Sequence, residues 1–409
     1  MKTSTQRILT THVGSLPRPP DLLALILAKE QGAPFDAELY ASRVKSAIAE
    51  VVKKQAEAGI DIVADGEMGR FGYIPYVNDR LAGIEARPNP GGEGTWARSR
   101  EHLAFPEYYA WAAQMPGAAG GAQRTRWMCT GPIAYKGHEA LARDIDNLKA
   151  ALAGLACEEA FMPAVSPAQL AGWNKNEFYR TDEEFRTAVA DALREEYRAI
   201  VDAGLVLQID DPQLASHYTT HPELDVAQCR NVASATVELL NHALTGIPPE
   251  RVRYHTCYGI NMGPRVHDLE LNHIVDIMLR IDAGAYSFEA GNPRHEHEWR
   301  VWEQVKLPAG KALIPGVITH GSNFVEHPEA IAQRIGRFAD VVGRENVIAG
   351  ADCGFASFST TCEVHPTVVW AKLEALAEGA RLATKELWGE PNRRRQSTEP
   401  RDPARGGVS

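Results

Sequence analysis

Four candidate metal ligands stand at or beside the ends of short apolar runs in this sequence. They are His255, Cys257, Glu289 and Cys353. Because residues i and i+2 of a β-strand point to the same face, His255 and Cys257 can bind one ion from the end of a single strand. One imidazole, two thiolates and one carboxylate suit tetrahedral Zn²⁺. The sequence therefore predicts a zinc site, and the glutamate favours a reactive zinc over a purely structural one.

The charge of this ligand set indicates which chemistry it supports. Two thiolates and a carboxylate bring the charge of a Zn²⁺ site to about −1, which makes the metal a poor activator of water. A substrate thiol that replaced the carboxylate would bind as a thiolate and remain nucleophilic. The residues therefore favour alkylation of sulfur over a zinc-dependent lyase or hydrolase, which would need a neutral or cationic site to acidify water.

The composition excludes several other classes of protein. The chain of 409 residues is 44% hydrophobic and 8% aromatic, as folded globular proteins are. Its net charge of −10 and its lack of basic runs interleaved with aromatic residues argue against a nucleic-acid partner. No apolar stretch is long enough for a signal peptide or a membrane span, so we expect a cytoplasmic protein. The six cysteines lack the spacing of a disulfide framework, which favours free thiols.

The order of apolar and amphipathic segments predicts the fold. Short apolar runs alternate with helical patterns, as in a parallel sheet, and their number fits a (β/α)8 TIM-type barrel of the α/β class. Nine candidate strands compete for eight places, so one must lie outside the barrel; they are 8–13, 60–64, 127–130, 161–165, 205–209, 252–255, 285–288, 313–318 and 347–350. The predicted helices are 37–58, 145–160, 182–203, 226–244, 269–282, 328–342 and 364–380.

Two segments depart from this alternation. Residues 83–125 are rich in Gly, Ala and Pro and are too long for an ordinary βα loop. We expect this insertion to cover the barrel mouth or to form a contact between subunits of a homo-oligomer, through Trp96, Tyr108, Tyr109 and Trp111. Residues 391–409 have almost no apolar content. We therefore expect a single catalytic barrel over residues 1–386 and a disordered tail over residues 387–409.

Polar residues follow several predicted strands, where a barrel of this type holds its active site. We expect at least one of Glu67, Asp210 and Asp211 to contact a substrate, although capping of helices is the alternative role. Arg18 has two interpretations of equal weight, as the partner of a substrate carboxylate or as part of a turn. The remaining candidates are interpreted as structural: a solvated helix start for His295 and His297, and core positions for Cys129, Cys157, Cys229 and Cys362.

With these residues identified, the chain resembles the catalytic domain of cobalamin-independent methionine synthase. It is most similar to the short, single-barrel members of that superfamily, which also includes coenzyme M alkyltransferases. The matching motifs cover residues 10–18, 65–67, 130–132, 207–212, 255–258, 288–289, 315–318 and 352–354. The resemblance implies that a zinc-bound substrate thiolate attacks an alkyl carbon, with His255, Cys257, Glu289 and Cys353 as zinc ligands. It also implies an amino-acid pocket formed by Gly14, Ser15, Glu67 and Asp210.

The two acids of this pocket favour an acceptor that carries an amino group, such as homocysteine. The alkyl donor remains open, because residues 213–216 read Gln-Leu-Ala-Ser where users of folate carry an Arg-Glu pair. Folate is therefore doubtful, and a methyl-corrinoid protein, a small methyl ether or sulfur compound, or an epoxide are the alternatives. The family's proton-shuttle histidine falls at Gly321, and we keep His320 as the catalytic candidate although strand alternation would point it to the opposite face. A non-catalytic barrel that binds a thiol is the remaining alternative.

Overall fold

The structure is a computed structural model that describes residues 1–90, 92–94, 96–114, 125–260, 262–359 and 364–389. Cys362 and residues 390–409 lie outside the described residues, so the predictions for this cysteine and for most of the tail do too. Within the described part, no helix combines the length and the apolar character that crossing a bilayer requires.

Eleven strands are present in the described residues. They are β1 Leu9–Thr10, β2 Ile62–Val63, β3 Leu81–Pro88, β4 Thr125–Tyr135, β5 Glu159–Val165, β6 Asn174–Asn176, β7 Val206–Asp210, β8 Val252–His255, β9 Ala285–Phe288, β10 Ala312–Ile318 and β11 Ile348–Ala351. Eight of them form one parallel sheet in the order β1-β11-β10-β9-β8-β7-β5-β2. A parallel bridge between Thr11 and Ile62 joins the first and last strands. The sheet therefore closes into the TIM-type barrel that the sequence predicts.

Of the nine strand candidates, the one that lies outside the barrel is residues 127–130. It belongs to β4, which pairs antiparallel with β3 and parallel with β6 in a separate three-stranded sheet. Strand β4 contains buried, partly buried and exposed positions, whereas β8 to β11 are buried throughout. Gly131 and Pro132 therefore do not lie at the end of a barrel strand. The apolar run alone could not distinguish a half-exposed strand from a barrel strand.

Fourteen α-helices cover the barrel and the insertion within the described residues. They are α1 Pro20–Glu30, α2 Ala37–Glu57, α3 Tyr73–Asn78, α4 Arg100–Ala104, α5 Pro106–Ala112, α6 His138–Leu152, α7 Pro167–Trp173, α8 Asp182–Asp202, α9 Gln213–Thr220, α10 Val226–Ala243, α11 Val275–Met278, α12 Val301–Gln304, α13 Pro328–Val342 and α14 Pro366–Trp388. Short 3₁₀ turns occur at Pro249–Arg251, Leu271–His273, Glu298–Arg300 and Arg344–Asn346.

Capping explains why the predicted starts of α2, α8 and α10 were accurate, whereas α6 begins at His138, seven residues before its predicted start. The side chains of Asp36, Thr181 and Asp225 accept hydrogen bonds from backbone N–H groups of the first turns of α2, α8 and α10. Two predicted ends were wrong. Helix α6 ends at Leu152, since Ala153 has an extended conformation, and α14 extends to Trp388, into the first two residues of the predicted tail.

The interior of the barrel is filled at the end where the strands begin. Side chains from nearly every barrel strand form one apolar cluster there: Leu9, Ile62, Ala64, Phe161, Val206, Ala285, Ala312, Ile314 and Ile348. The fully buried guanidinium of Arg253 stacks over Phe161 and donates hydrogen bonds to Thr11 and His12. Since this end is packed solid, the polar side chains at the opposite, carboxyl end of the strands form the candidate site.

Candidate metal centre and substrate pocket

Three of the predicted ligands converge at the carboxyl end of the barrel. His255 is the last residue of β8, Cys257 follows it, and Cys353 follows β11. All three are buried, and their ligand atoms lie within 4.8 Å of one another. The sulfur atoms of Cys257 and Cys353 are 3.3 Å apart and belong to free cysteines. Two strands that are not neighbours in the sheet therefore supply one compact His–Cys–Cys group.

The orientation of His255 suits a metal ligand. Its Nδ1 lies 3.1 Å from the hydroxyl oxygen of Ser287, while its buried Nε2 has no hydrogen-bond partner among the described residues. Such an unpaired buried nitrogen is unfavourable unless a ligand satisfies it. Burial lowers the pKa of His255 to about 3, so the ring is neutral, as metal binding requires.

The two thiols also fit a divalent cation. The hydrogen bond that Cys353 donates to Cys257, and then burial, raise the pKa of Cys353 well above the ordinary value of a thiol. A bound cation reverses this effect, because it stabilises both thiolates. Soft thiolates beside a neutral imidazole form a donor set that zinc favours. The residues present therefore fit the predicted metal.

The fourth predicted ligand, Glu289, lies elsewhere. It follows β9 and is buried, but its carboxylate does not belong to the group of three. Its Oε2 lies 2.8 Å from a terminal guanidinium nitrogen of Arg265 and accepts a hydrogen bond of 2.8 Å from Asn292. Its Oε1 accepts a hydrogen bond of 2.9 Å from the backbone N–H of Tyr258. In this structure the carboxylate of Glu289 therefore forms an ion pair with the guanidinium of Arg265.

Behind Arg265 lies a buried cluster of charges that the sequence did not reveal. Nε of Arg265 donates to Asp268 at 2.7 Å, and the ring of His295 bridges Asp268 and Glu298 at 3.1 and 2.9 Å. Burial opposes the charge of His295, but the two carboxylates outweigh it and raise its pKa to about 9. The interpretation of His295 as a solvated position is therefore wrong, because two carboxylates compensate its burial. His297, by contrast, is exposed.

His320 faces the interior of the site. Strand β10 ends at Ile318, so the alternation that would have pointed His320 to the opposite face no longer applies. The ring is buried, close enough to influence the protonation of His255, and next to Asp352. Burial lowers the pKa of His320 to about 4, and Nδ1 finds no hydrogen-bond partner in the described part of the chain. A neutral imidazole whose Nδ1 lacks a hydrogen-bond partner therefore lies near the His–Cys–Cys group.

The predicted amino-acid pocket is assembled next to the metal ligands. Gly14 has a φ of 138°, and a Cβ atom added there would lie 3.0 Å from Oε1 of Glu67, so this close approach requires glycine. The hydroxyl oxygen of Ser15 accepts a hydrogen bond of 3.3 Å from the backbone N–H of Ala356, three residues after Cys353. The Gly-Ser turn, Glu67 and the loop that bears Cys353 are therefore in mutual contact.

Glu67 and Asp210 form the acidic side of this pocket. Burial raises the pKa of both carboxyl groups, and the nearby Glu67 raises that of Asp210 further. Glu67 also has a positive φ of 57°, a strained conformation for a residue with a side chain. Asp211 is different: its carboxylate accepts a hydrogen bond from the hydroxyl of Tyr254 below the pocket, which is a structural role.

Arg18 lies near enough to Glu67 for the carboxylate to influence its protonation. It is buried, and one terminal nitrogen donates to the carbonyl oxygen of Ala356 at 2.7 Å. Within the described residues, its Nε and its other terminal nitrogen have no hydrogen-bond partner. These N–H groups are available to donate hydrogen bonds to an anion.

Of the cysteines interpreted as core residues, Cys129 and Cys229 are buried and Cys157 is partly exposed.

The chain belongs to the family of the catalytic domain of cobalamin-independent synthases. The family model, described as "Cobalamin-independent synthase, Catalytic domain", matches residues 8–103 and 172–371. The resemblance that the sequence motifs predict is thereby confirmed. The unmatched residues 104–171 contain the motif at 130–132, which accordingly lies outside the family match.

Relatives agree with this assignment over nearly their full lengths. The chain is similar to a methionine synthase of Thermococcus kodakarensis, with 23% identity over 391 residues that cover 92% of this chain and 94% of that protein. A methionine synthase of Saccharolobus islandicus is 24% identical over 382 residues, covering 92% and 95%. The solved structure of a B12-independent methionine synthase from Shewanella sp. W3-18-1, in complex with selenomethionine, has a TM-score of 0.70 and 18% identity, and the match covers 93% of this chain and 99% of that one.

Proposed function

We propose that this protein is a zinc-dependent methyltransferase that methylates the thiol of homocysteine or of a closely related amino-thiol. The observation that carries the proposal is the convergence of His255, Cys257 and Cys353, with an unpaired His255 Nε2. These three residues and Glu289 would hold the zinc ion. The ion, when bound, lowers the pKa of a coordinated substrate thiol so that it reacts as a thiolate.

The pocket beside the metal ligands supports an amino-acid acceptor. Glu67 and Asp210 are two buried carboxyl groups that an ammonium group would pair with. Ser15 and the unpaired N–H groups of Arg18 would bind the carboxylate of the same substrate. These four residues orient the amino acid so that its thiol reaches the His–Cys–Cys group.

His320 is assigned the role of a proton carrier. Its imidazole is neutral and buried, and Nδ1 is without a hydrogen-bond partner in the described part of the chain. Such a nitrogen can hold the proton that the acceptor thiol releases or deliver one to the departing donor.

The barrel over residues 1–386 is the catalytic unit in this proposal. Users of folate in this family carry an Arg-Glu pair where this chain has Gln213 and Leu214, at the start of α9. The proposed donor is therefore a small methyl compound or a methyl-corrinoid protein rather than folate.

Thiol preference separates this function from a coenzyme M type of alkyltransferase. A sulfonate thiol has no ammonium group, so Glu67 and Asp210 would remain unpaired beside it. We expect zinc-loaded protein to bind L-homocysteine and to discriminate against 2-mercaptoethanesulfonate. Incubation with panels of thiols and methyl donors, followed by mass spectrometry, identifies the S-alkylated product. Preferential alkylation of the sulfonate thiol, or protein without stoichiometric zinc, would contradict the proposal.

A further inference from the structure

The guanidinium of Arg265 lies 2.8 Å from the carboxylate of Glu289 and is therefore a partner for this carboxylate when it does not bind the metal. We propose that Arg265 is a positioning residue that receives Glu289 when a substrate thiol takes the fourth position around the ion. Glu289 then alternates between the ion and Arg265. This inference rests on the proposed zinc–thiol function and extends it to a residue outside the ligand set.

The charges of the cluster allow both positions of Glu289. When Glu289 pairs with Arg265, the two charges lie 2.8 Å apart in a buried environment and neutralise each other. When Glu289 leaves, Arg265 retains Asp268 at 2.7 Å. Leaving a buried charge unpaired is strongly unfavourable, and neither position of Glu289 does so. Asp268 therefore allows Glu289 to move between Arg265 and the ion without leaving the buried guanidinium unpaired.

The other partners of Glu289 are connected to the loops that carry the two thiols. Tyr258, whose N–H donates to Oε1 of Glu289, directly follows Cys257. Asn292 donates both to Oε2 of Glu289 and to Asp352, which directly precedes Cys353. The donors that hold the carboxylate on Arg265 are thus tied to the two cysteines.

The backbone at Arg265 is held in place by distant elements. Its φ of 57° lies in the left-handed region, a conformation that persists only where the surroundings impose it. Arg294 donates to its carbonyl oxygen at 2.9 Å, and two residues later the N–H of His267 donates to the fully buried Glu101 at 2.6 Å. Glu101 belongs to α4 of the insertion. The insertion therefore helps to fix the guanidinium beside the metal ligands.

Titration of Co²⁺-substituted protein with L-homocysteine tests the proposal, with the sulfur-to-Co²⁺ charge-transfer band as readout. We expect Arg265→Met to retain Co²⁺ and to bind homocysteine at least about tenfold more weakly, which corresponds to about 1.4 kcal/mol. The reason is that Glu289 no longer has an alternative partner and competes with the thiol. Arg265→Lys, which keeps the charge, should recover part of the affinity. Arg300→Met, at an exposed arginine, is the matched control and should bind like the wild type.

A double-mutant cycle separates this role from a purely structural one. In a Glu289→Gln background the competing carboxylate is absent, so Arg265→Met should cause no further loss of homocysteine affinity. Additive losses, or wild-type affinity in Arg265→Met, would overturn the role of Arg265. If Arg265→Met does not fold, Arg265→Lys in both backgrounds gives the same comparison. Cys257 and Cys353 themselves give a charge-transfer band, so the increase on adding homocysteine is what reports binding. If the wild-type protein shows no such increase, the proposed function fails and this inference fails with it.

Discussion

The sulfur atoms of Cys257 and Cys353 lie 3.3 Å apart although 96 residues separate them in the chain. Strands β8 and β11 bring them together, and the unpaired Nε2 of His255 completes the group. The thiol of Cys257 raises the pKa of Cys353, and a bound cation would reverse this effect. The geometry of the three residues therefore fits a candidate metal site.

The first prediction concerns the metal. We expect one Zn²⁺ per chain in the wild-type protein, and loss of most of it in both Cys257→Ser and Cys353→Ser, because each removes a thiolate from a tetrahedral site. Metal analysis after gel filtration measures this directly. Cys157→Ser, at a partly exposed cysteine, is the control and should retain zinc. Full zinc occupancy in both serine variants would rule out the assigned ligands.

A second prediction concerns the proton of the substrate thiol. A free thiol ionises near pH 8.5, whereas a zinc-bound thiol is deprotonated. Binding of L-homocysteine at neutral pH should therefore release about one proton. Calorimetry in buffers of different ionisation enthalpy measures this number. An observed enthalpy that is the same in all buffers would exclude direct ligation of the thiol to the metal.

The acidic side of the pocket gives a third prediction. Glu67→Gln should weaken binding of L-homocysteine by roughly 1.5–3 kcal/mol, the contribution of a hydrogen bond to a charged group, with zinc retained. The comparison ligand is 4-mercaptobutanoate, which is homocysteine without its amino group and should bind both proteins equally. Loss of zinc in Glu67→Gln, or an equal loss for both thiols, would show that Glu67 does not recognise the amine.

The same carboxyl groups predict how stability depends on pH. Burial raises the folded-state pKa of Glu67 and of Asp210 above the unfolded values, so the folded state binds more protons. Their contribution is fully present below the unfolded pKa and is lost as the pH rises through the folded pKa. Thermal unfolding of the ligand-free protein should therefore show a falling Tm over this range. Asp210→Asn should flatten the dependence, and an unchanged slope would contradict the assignment.

Much of this site could be predicted from the sequence because its elements are local. The spacing of His255 and Cys257, and the position of Glu67 after an apolar run, follow from strand geometry. The partnership of Glu289 with Arg265 could not be predicted, because Arg265 lies in an irregular loop whose course depends on contacts with α4 of the insertion. Strand β4 was misplaced for a related reason, since its place in a second sheet depends on pairing with β3 and β6, which lie far from it in the sequence.

The last prediction concerns the insertion, residues 83–125. The sequence indicated a long loop, but its ends are the paired strands β3 and β4, and its helices contact the loop that bears Arg265. Trp96 donates from Nε1 to the carbonyl oxygen of Ile260 at 3.2 Å, and the hydroxyl of Tyr108 donates to that of Met262 at 2.7 Å. The insertion thus lies against the residues that follow His255 and Cys257 at the end of β8.

A methyl group in transfer has to be shielded from water, so this segment should matter for catalysis more than for folding. Replacing residues 89–122 by a short Gly-Ser linker should leave the barrel and its zinc intact and lower methyl transfer, because the Arg265 loop loses Glu101 and Trp96. Circular dichroism, metal analysis and product formation measure the three outcomes on one sample. Trp111→Ala, at a half-exposed residue of α5, is the control that tests the outer face alone. Unchanged transfer with an unchanged donor preference in the deletion would reduce the insertion to a surface elaboration.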